Sequence, residues 1–147
     1  MKLKLFTFIL FIAGNTFGQS PLWMRYPAIS PDGAQIAFSY KGNIYLVSSN
    51  GGKVNAITTH AAHDFMPTWS PDGKTIAFAS NRYGNYDIFT MPSIGGNATR
   101  LTHHSSDDYP SSIDGSGHVY FSSSRLDSYL NSQFPSGVLS ELYSIHE

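Results

Sequence analysis

Residues 66–102, MPTWSPDGKTIAFASNRYGNYDIFTMPSIGGNATRLT, decide the fold. An apolar segment runs into the turn Ser70-Pro71-Asp72-Gly73. Proline presets φ at the second position, aspartate tolerates the bridge region at the third, and glycine supplies the positive φ with which the next strand leaves. The strand at 75–79 places Ile76 and Phe78 on one face, Ala77 and Ala79 on the other. Large on one side and small on the other suits a sheet packed between two neighbours. A strand at 87–91 (DIFTM) follows, then Gly95-Gly96 as a hairpin signal and a short strand ending in Arg100-Leu101-Thr102. The stretch reads as one four-stranded antiparallel unit.

Working outward, the unit repeats. Residues 27–38 (PAISPDGAQIAF) align without a gap on 67–78 (PTWSPDGKTIAF), with eight of twelve positions identical at an offset of 40. A third copy starts at Tyr109-Pro110 and reaches Val119-Tyr120-Phe121 at an offset of 43. The strand at 87–91 has counterparts at 43–47 and 141–145, and Gly51-Gly52 matches Gly95-Gly96. Short strands at a period of ~40–45 residues are the mark of propeller blades. The expected fold is therefore all-β: two complete blades at about 22–59 and 60–102, and an incomplete third at 103–147. Propellers close with about four to eight blades, so the expectation is an open fragment of a longer protein. In the third copy, Ile113-Asp114-Gly115-Ser116-Gly117 replaces the Ser-Pro-Asp-Gly turn and is one residue short.

Composition agrees with this reading and excludes others. Aromatic residues make up 14% of the 147 positions and glycine thirteen of them, as a β protein with many tight turns requires. The formal charge is −1, without the basic stripe of a nucleic-acid binder. There is no cysteine, hence no disulfide framework, thiolate metal site or cysteine nucleophile. Charged residues are only 13% of the chain, so much of its surface is expected to be buried or to face a neighbour. Residues 1–18 read as a secretory signal: Lys2 and Lys4, an apolar run at 5–13, then small residues ending at Gly18. The apolar run is too short to cross a bilayer core that needs ~20 residues, so no stable membrane anchor is expected. With the signal removed, 9 − 2 = 7 basic residues face 10 acidic ones, a charge of −3.

Up-and-down blades place alternate connections on opposite rims. The Ser-Pro-Asp-Gly and Gly-Gly turns share one; the loops between second and third strands and the crossings between blades share the other. Variation gathers on this second rim, where the second-to-third loop grows from 40–42 through 80–86 to 124–140. The longest is rich in apolar residues, Phe134 among them. The crossings hold the ligand-type residues His60, His63 and Asp64, then His103, His104, Asp107 and Asp108. His-x-x-His-Asp invites a zinc reading. Without a helix to bring both rings to one side, turn and crossing-strand hydrogen bonds explain the clusters better. No metal and no cofactor are expected, and these eight residues are candidate rim contacts. No Gly-x-Ser-x-Gly elbow, phosphate loop or dinucleotide fingerprint occurs, and no residue is assigned a catalytic role.

Trp69-Ser70-Pro71-Asp72-Gly73, Ile76-Ala77-Phe78, Asn81-Arg82-Tyr83-Gly84 and Asp87-Ile88-Phe89 resemble the WD-like propeller repeat of the Tol-system translocation protein and its relatives. The lead-in Pro21-Leu22-Trp23-Met24-Arg25-Tyr26-Pro27 and the stretch Phe134-Pro135-Ser136-Gly137-Val138-Leu139 are similar to secreted tricorn-type serine peptidases. That resemblance implies a non-catalytic propeller that gates or guides peptide substrates in the periplasm. Its partners would be the remaining blades, the peptidase domains of the parent chain and the peptide or protein substrate. The family's catalytic residues would lie beyond Glu147. A Tol-like envelope propeller that binds proteins without enzyme activity is the alternative, and a prolyl-oligopeptidase-like parent a third. A fold shared so widely does not choose among them.

Overall fold

The computed structural model describes residues 23–125 and 140–146, and every element in them is a β-strand. The expected signal at 1–18, the body of the longest loop and Phe134 lie outside the described residues. The first sheet holds β1 (Arg25–Ile29), β2 (Gln35–Tyr40), β3 (Asn43–Ser48) and β4 (Asn55–Ala56) in sequence order. The second holds β5 (Asp64–Trp69), β6 (Thr75–Ser80), β7 (Asp87–Pro92) and β8 (Thr99–Arg100), again in order. In the third, β9 (Asp108–Ile113), β10 (His118–Ser123) and β11 (Glu141–His146) pair in turn. All pairings are antiparallel. The chain is thus all-β, with two four-stranded blades and three strands of another. The first strands β1, β5 and β9 lie beside one another.

The large/small alternation in β6 packs as its pattern demands. Ile76 and Phe78 face the first sheet: Ile76 meets Ala37 and Leu46, and Phe78 joins Ile44, Phe89 and Met91. Ala77 points the other way and, with Ile88, meets Val119 and Phe121 of the third sheet. Ile76, Ala77, Phe78, Ala79 and Ile88 are all fully buried. Trp69 also ties sheets together, its indole N–H donating to the Ala28 carbonyl at 3.0 Å.

The Ser-Pro-Asp-Gly turns are duplicates in detail. Ser30 Oγ donates to Asp32 Oδ1 at 2.6 Å, which also accepts the Ala34 N–H; Ser70 and Asp72 do the same at 2.7 Å with Lys74 N–H. The serine hydrogen bond, then the backbone amide, holds the carboxyl of Asp32 and of Asp72 below the usual carboxylate range. The third turn reaches the same end with one residue fewer. Asp114 Oδ1 accepts the N–H groups of Ser116 and His118, and the Gly117 N–H closes on the Asp114 carbonyl. One aspartate thus replaces the serine and the aspartate together. Its carboxyl is held low, chiefly by the His118 amide.

The fourth strands are shorter than their sequence pattern. Beyond β4 and β8 the ladder is continued by threonine side chains: Ile44 N–H donates to Thr58 Oγ1 and Ile88 N–H to Thr102 Oγ1, both at 2.9 Å. A first-strand bulge recurs in every sheet, at Tyr26-Pro27, Met66-Pro67 and next to Pro110. Proline is tolerated there because a bulge interrupts the ladder. Tyr26 (φ 53°) and Met66 (φ 55°) take left-handed backbone at the bulge.

Candidate functional site on the loop rim

The loop rim is built differently in successive blades, and loop length is the cause. In the first blade β2 and β3 join through Lys41-Gly42 alone, both with positive φ (48° and 82°), the geometry of a tight hairpin turn. Gly42 lies against the entrance to the second blade, where its carbonyl accepts the Asp64 N–H at 2.9 Å. A Cβ on Gly42 would stand 3.5 Å from the His63 ring. In the second blade the loop at 81–86 is long enough to send Arg82 back over the rim. Its Nη2 donates to Asp64 Oδ2 at 2.9 Å. Arg125 and Asp108 form the same pair in the third blade. Asp64 and Asp108 are completely buried.

A third buried carboxylate, Asp87, stands 2.7 Å from Arg100 Nη2, across from the two-residue strand β8. Burial pushes its carboxyl up, and the Arg100 charge only partly opposes this. Each arginine lies over aromatic rings: Arg82 over Phe78 and Phe89, Arg100 over Tyr83, Arg125 over Phe121 and Tyr143. These pairs seal the rim between hydrophobic blade faces and solvent.

The candidate contacts separate accordingly. Asp64 and Asp108 are structural anions held by arginine, and they do not project into solvent. His60 and His104 occupy equivalent turns, where Nδ1 of each accepts the N–H two residues on, Ala62 or Ser106, at 3.0 Å. His103 is exposed. Among the described residues, no three histidine or carboxylate side chains converge as a metal site would require. His63 and Asp107 do come together, through aromatic rings that a search for metal ligands does not weigh. His63 stacks on Phe65 (5.0 Å), and its Nδ1 lies 3.0 Å from the Tyr86 hydroxyl. Phe65 in turn meets Tyr26, Tyr86 and Tyr109, with centroids 4.9–5.8 Å apart. Asp107 accepts the Tyr86 N–H at 2.8 Å and faces the Tyr109 hydroxyl. Burial, then the Asp107 charge, pushes the Tyr109 hydroxyl's pKa up. The repeated dipeptides Asp64-Phe65 and Asp108-Tyr109 carry this signal in their rings rather than in their carboxylates.

This aromatic cluster joins all three blades, and its members Tyr26, His63, Phe65 and Tyr86 line a cleft of 380 Å³ on the rim of the first two, together with Trp23, Arg25, Tyr40 and Lys41. The arrangement offers cations, ring faces and hydroxyls to a ligand. The ring nitrogens of His60, His63, His104, His118 and His146 contact backbone groups, the Tyr86 hydroxyl or the Asp114 carboxylate.

Comparison with known proteins agrees with this architecture. An uncharacterised protein of Agrobacterium fabrum is 38% identical over 103 residues, covering 66% of this chain and 35% of its own length. Tricorn protease homolog 1 of Streptomyces coelicolor is 32% identical over 90 residues, covering 61% of this chain and 8% of its own. The chain thus spans about a third or less of the curated relatives it matches. Among solved structures, a putative TolB from Agrobacterium tumefaciens superposes with a TM-score of 0.64 at 30% identity, over 84% of this chain and 43% of that one. The sequence model of the tricorn protease N-terminal β-propeller domain matches residues 21–139. The chain belongs to the tricorn protease N-terminal β-propeller family.

Proposed function

We propose that this chain is a non-catalytic propeller that gates and guides peptide substrates for a tricorn-type serine peptidase in the periplasm. The observation that carries the proposal is the loop rim: an aromatic-lined cleft between the first two blades whose cations have no carboxylate at ion-pair distance among the described residues, in a member of the tricorn propeller family. Extended peptides present apolar side chains and backbone polar groups together, and rings with hydroxyls suit both. The apolar run and small residues at 1–18 support export. A Tol-type propeller that binds a folded partner and serves no enzyme is the second reading; the superposition on the putative TolB favours it.

Photo-crosslinking of the purified chain with an unstructured peptide mixture separates these readings. The expected result is labelling around Tyr26, Tyr40 and Tyr86, with no peptide hydrolysis. Absence of labelling, or labelling only on the Ser-Pro-Asp-Gly rim, would rule out peptide handling at this site. Hydrolysis abolished by a serine-directed inhibitor would rule out a non-catalytic role.

A further inference from the structure

The cleft on the loop rim has a chemistry that the propeller architecture does not require. On this rim Arg82, Arg100 and Arg125 are each neutralised by a buried aspartate. Arg25 and Lys41, which line the cleft, have no carboxylate at ion-pair distance among the described residues. Each rests instead on a ring: the Arg25 guanidinium 4.9 Å from the Trp23 centroid, Lys41 Nζ 5.3 Å from that of Tyr40. Such contacts orient a cation and leave N–H groups to donate.

A second, independent observation points the same way. Ser39 also lines the cleft, is 5% exposed, and its Oγ has no hydrogen-bond partner among the described residues. A buried hydroxyl left unpaired is costly and calls for an explanation. The equivalent positions are Ala79 in the second blade and Ser122 in the third, so the second blade packs without a hydroxyl here. Phe65 and Tyr86 line the same cleft.

We infer that this cleft binds the side-chain carboxylate of an acidic residue in an extended peptide, with a neighbouring aromatic side chain of that peptide on the ring floor. The inference rests on the peptide-handling reading and names the sequence class that the rim selects. Guanidinium, ammonium and hydroxyl together can satisfy two carboxylate oxygens with charge-assisted bonds. The rings supply apolar contact that a free anion would not use.

The test is calorimetric titration of the purified chain with two unlabelled peptides, capped at both termini and centred on Phe-Asp-Phe or Phe-Asn-Phe. The aspartate peptide is expected to bind about tenfold more tightly at low salt, the usual scale for hydrogen bonds to a charged group. Added salt narrows the gap. Arg25→Gln or Lys41→Gln removes most of it. Ser39→Ala, which copies Ala79 and so spares the fold, weakens the aspartate peptide about threefold, the scale of one modest hydrogen bond. Lys53→Gln on the opposite rim changes nothing, which excludes a general charge effect. Equal affinity for both peptides, or an advantage that survives Arg25→Gln and Lys41→Gln, would overturn the acidic preference and leave peptide handling standing. Binding of neither peptide, together with absent crosslinking, would overturn both. Tighter binding of an uncapped Phe-Asn-Phe peptide or of a phosphoserine peptide would assign the cations to a chain terminus or a phosphate instead.

Discussion

The first and second blades share a turn, a strand pattern and a core, yet they finish their loop rims in opposite ways. The second sends Arg82 across the rim to a buried Asp64 and holds a second buried pair, Asp87 with Arg100. The first has Met24 and Asn43 at the two aspartate positions and a two-residue hairpin that carries no arginine. Where the loop is long, its own cation fills the rim. Where it is short, the rim stays open and its cations, Arg25 and Lys41, have no carboxylate at ion-pair distance among the described residues. Loop length thus decides whether the loop between second and third strands supplies its own arginine to the rim. The regular scaffold beneath is indifferent to this.

The sharpest way to break this comparison is through the core face. Phe78 is fully buried between the first two sheets, whereas its counterpart Phe38 lies on the face of β2 away from the second sheet and is 7% exposed. Phe78→Ala is expected to cost about 4 kcal/mol of unfolding free energy and Phe38→Ala clearly less, measured as urea midpoints. Equal losses would mean that both faces are enclosed to the same degree. Next comes the seal. Arg82→Met keeps the stem but strands the buried Asp64 carboxylate, and a loss of about 3 kcal/mol is expected. A loss near zero would show that the pair is ornamental and that the open and sealed rims do not differ in energy. Smaller still are the threonine bonds that continue the ladders. Thr58→Val and Thr102→Val should each cost about 1 kcal/mol and match one another, because the two blades make the same contact. Unequal losses would reveal a difference between blades that the geometry does not show.

The last prediction concerns pH. The carboxyl of Asp87 is raised in the folded chain, so between its unfolded and folded values the native state holds the extra proton. Its contribution to stability is therefore full in acid and declines as pH rises above about 4, the ordinary carboxylate value. Asp32, Asp72 and Asp114 are lowered and act in the opposite sense, gaining as pH rises through that value and losing as it falls. The difference between wild type and Asp87→Asn, the residue the first blade carries at Asn43, isolates the one group. Subtracting the two pH profiles should leave a decline with rising pH. A flat difference would mean that Arg100 fully compensates the burial.

Much of the scaffold was legible because each signal is local. Proline, aspartate and glycine at 31–33 and 71–73 act within four residues, and the alternation at 75–79 assigns faces by strand geometry alone. The site was less legible because its parts meet only across blades. Phe65, Tyr86 and Tyr109 are ordinary strand or loop aromatics in the sequence, and Asp64 and Asp108 resemble ligands for want of any hint that Arg82 and Arg125 would reach them. The short turn at 113–117 was also opaque, since nothing in the sequence says that Asp114 serves for two residues.

By itself, then, the sequence determined the repeat, the turns, the strand faces and the order in which large and small surfaces stack, all consequences of backbone preference and period. Only the tertiary structure decided which aspartates meet an arginine and which aromatic rings come together. Those outcomes depend on distances between chain segments some 15 to 45 residues apart, which local backbone preference does not set.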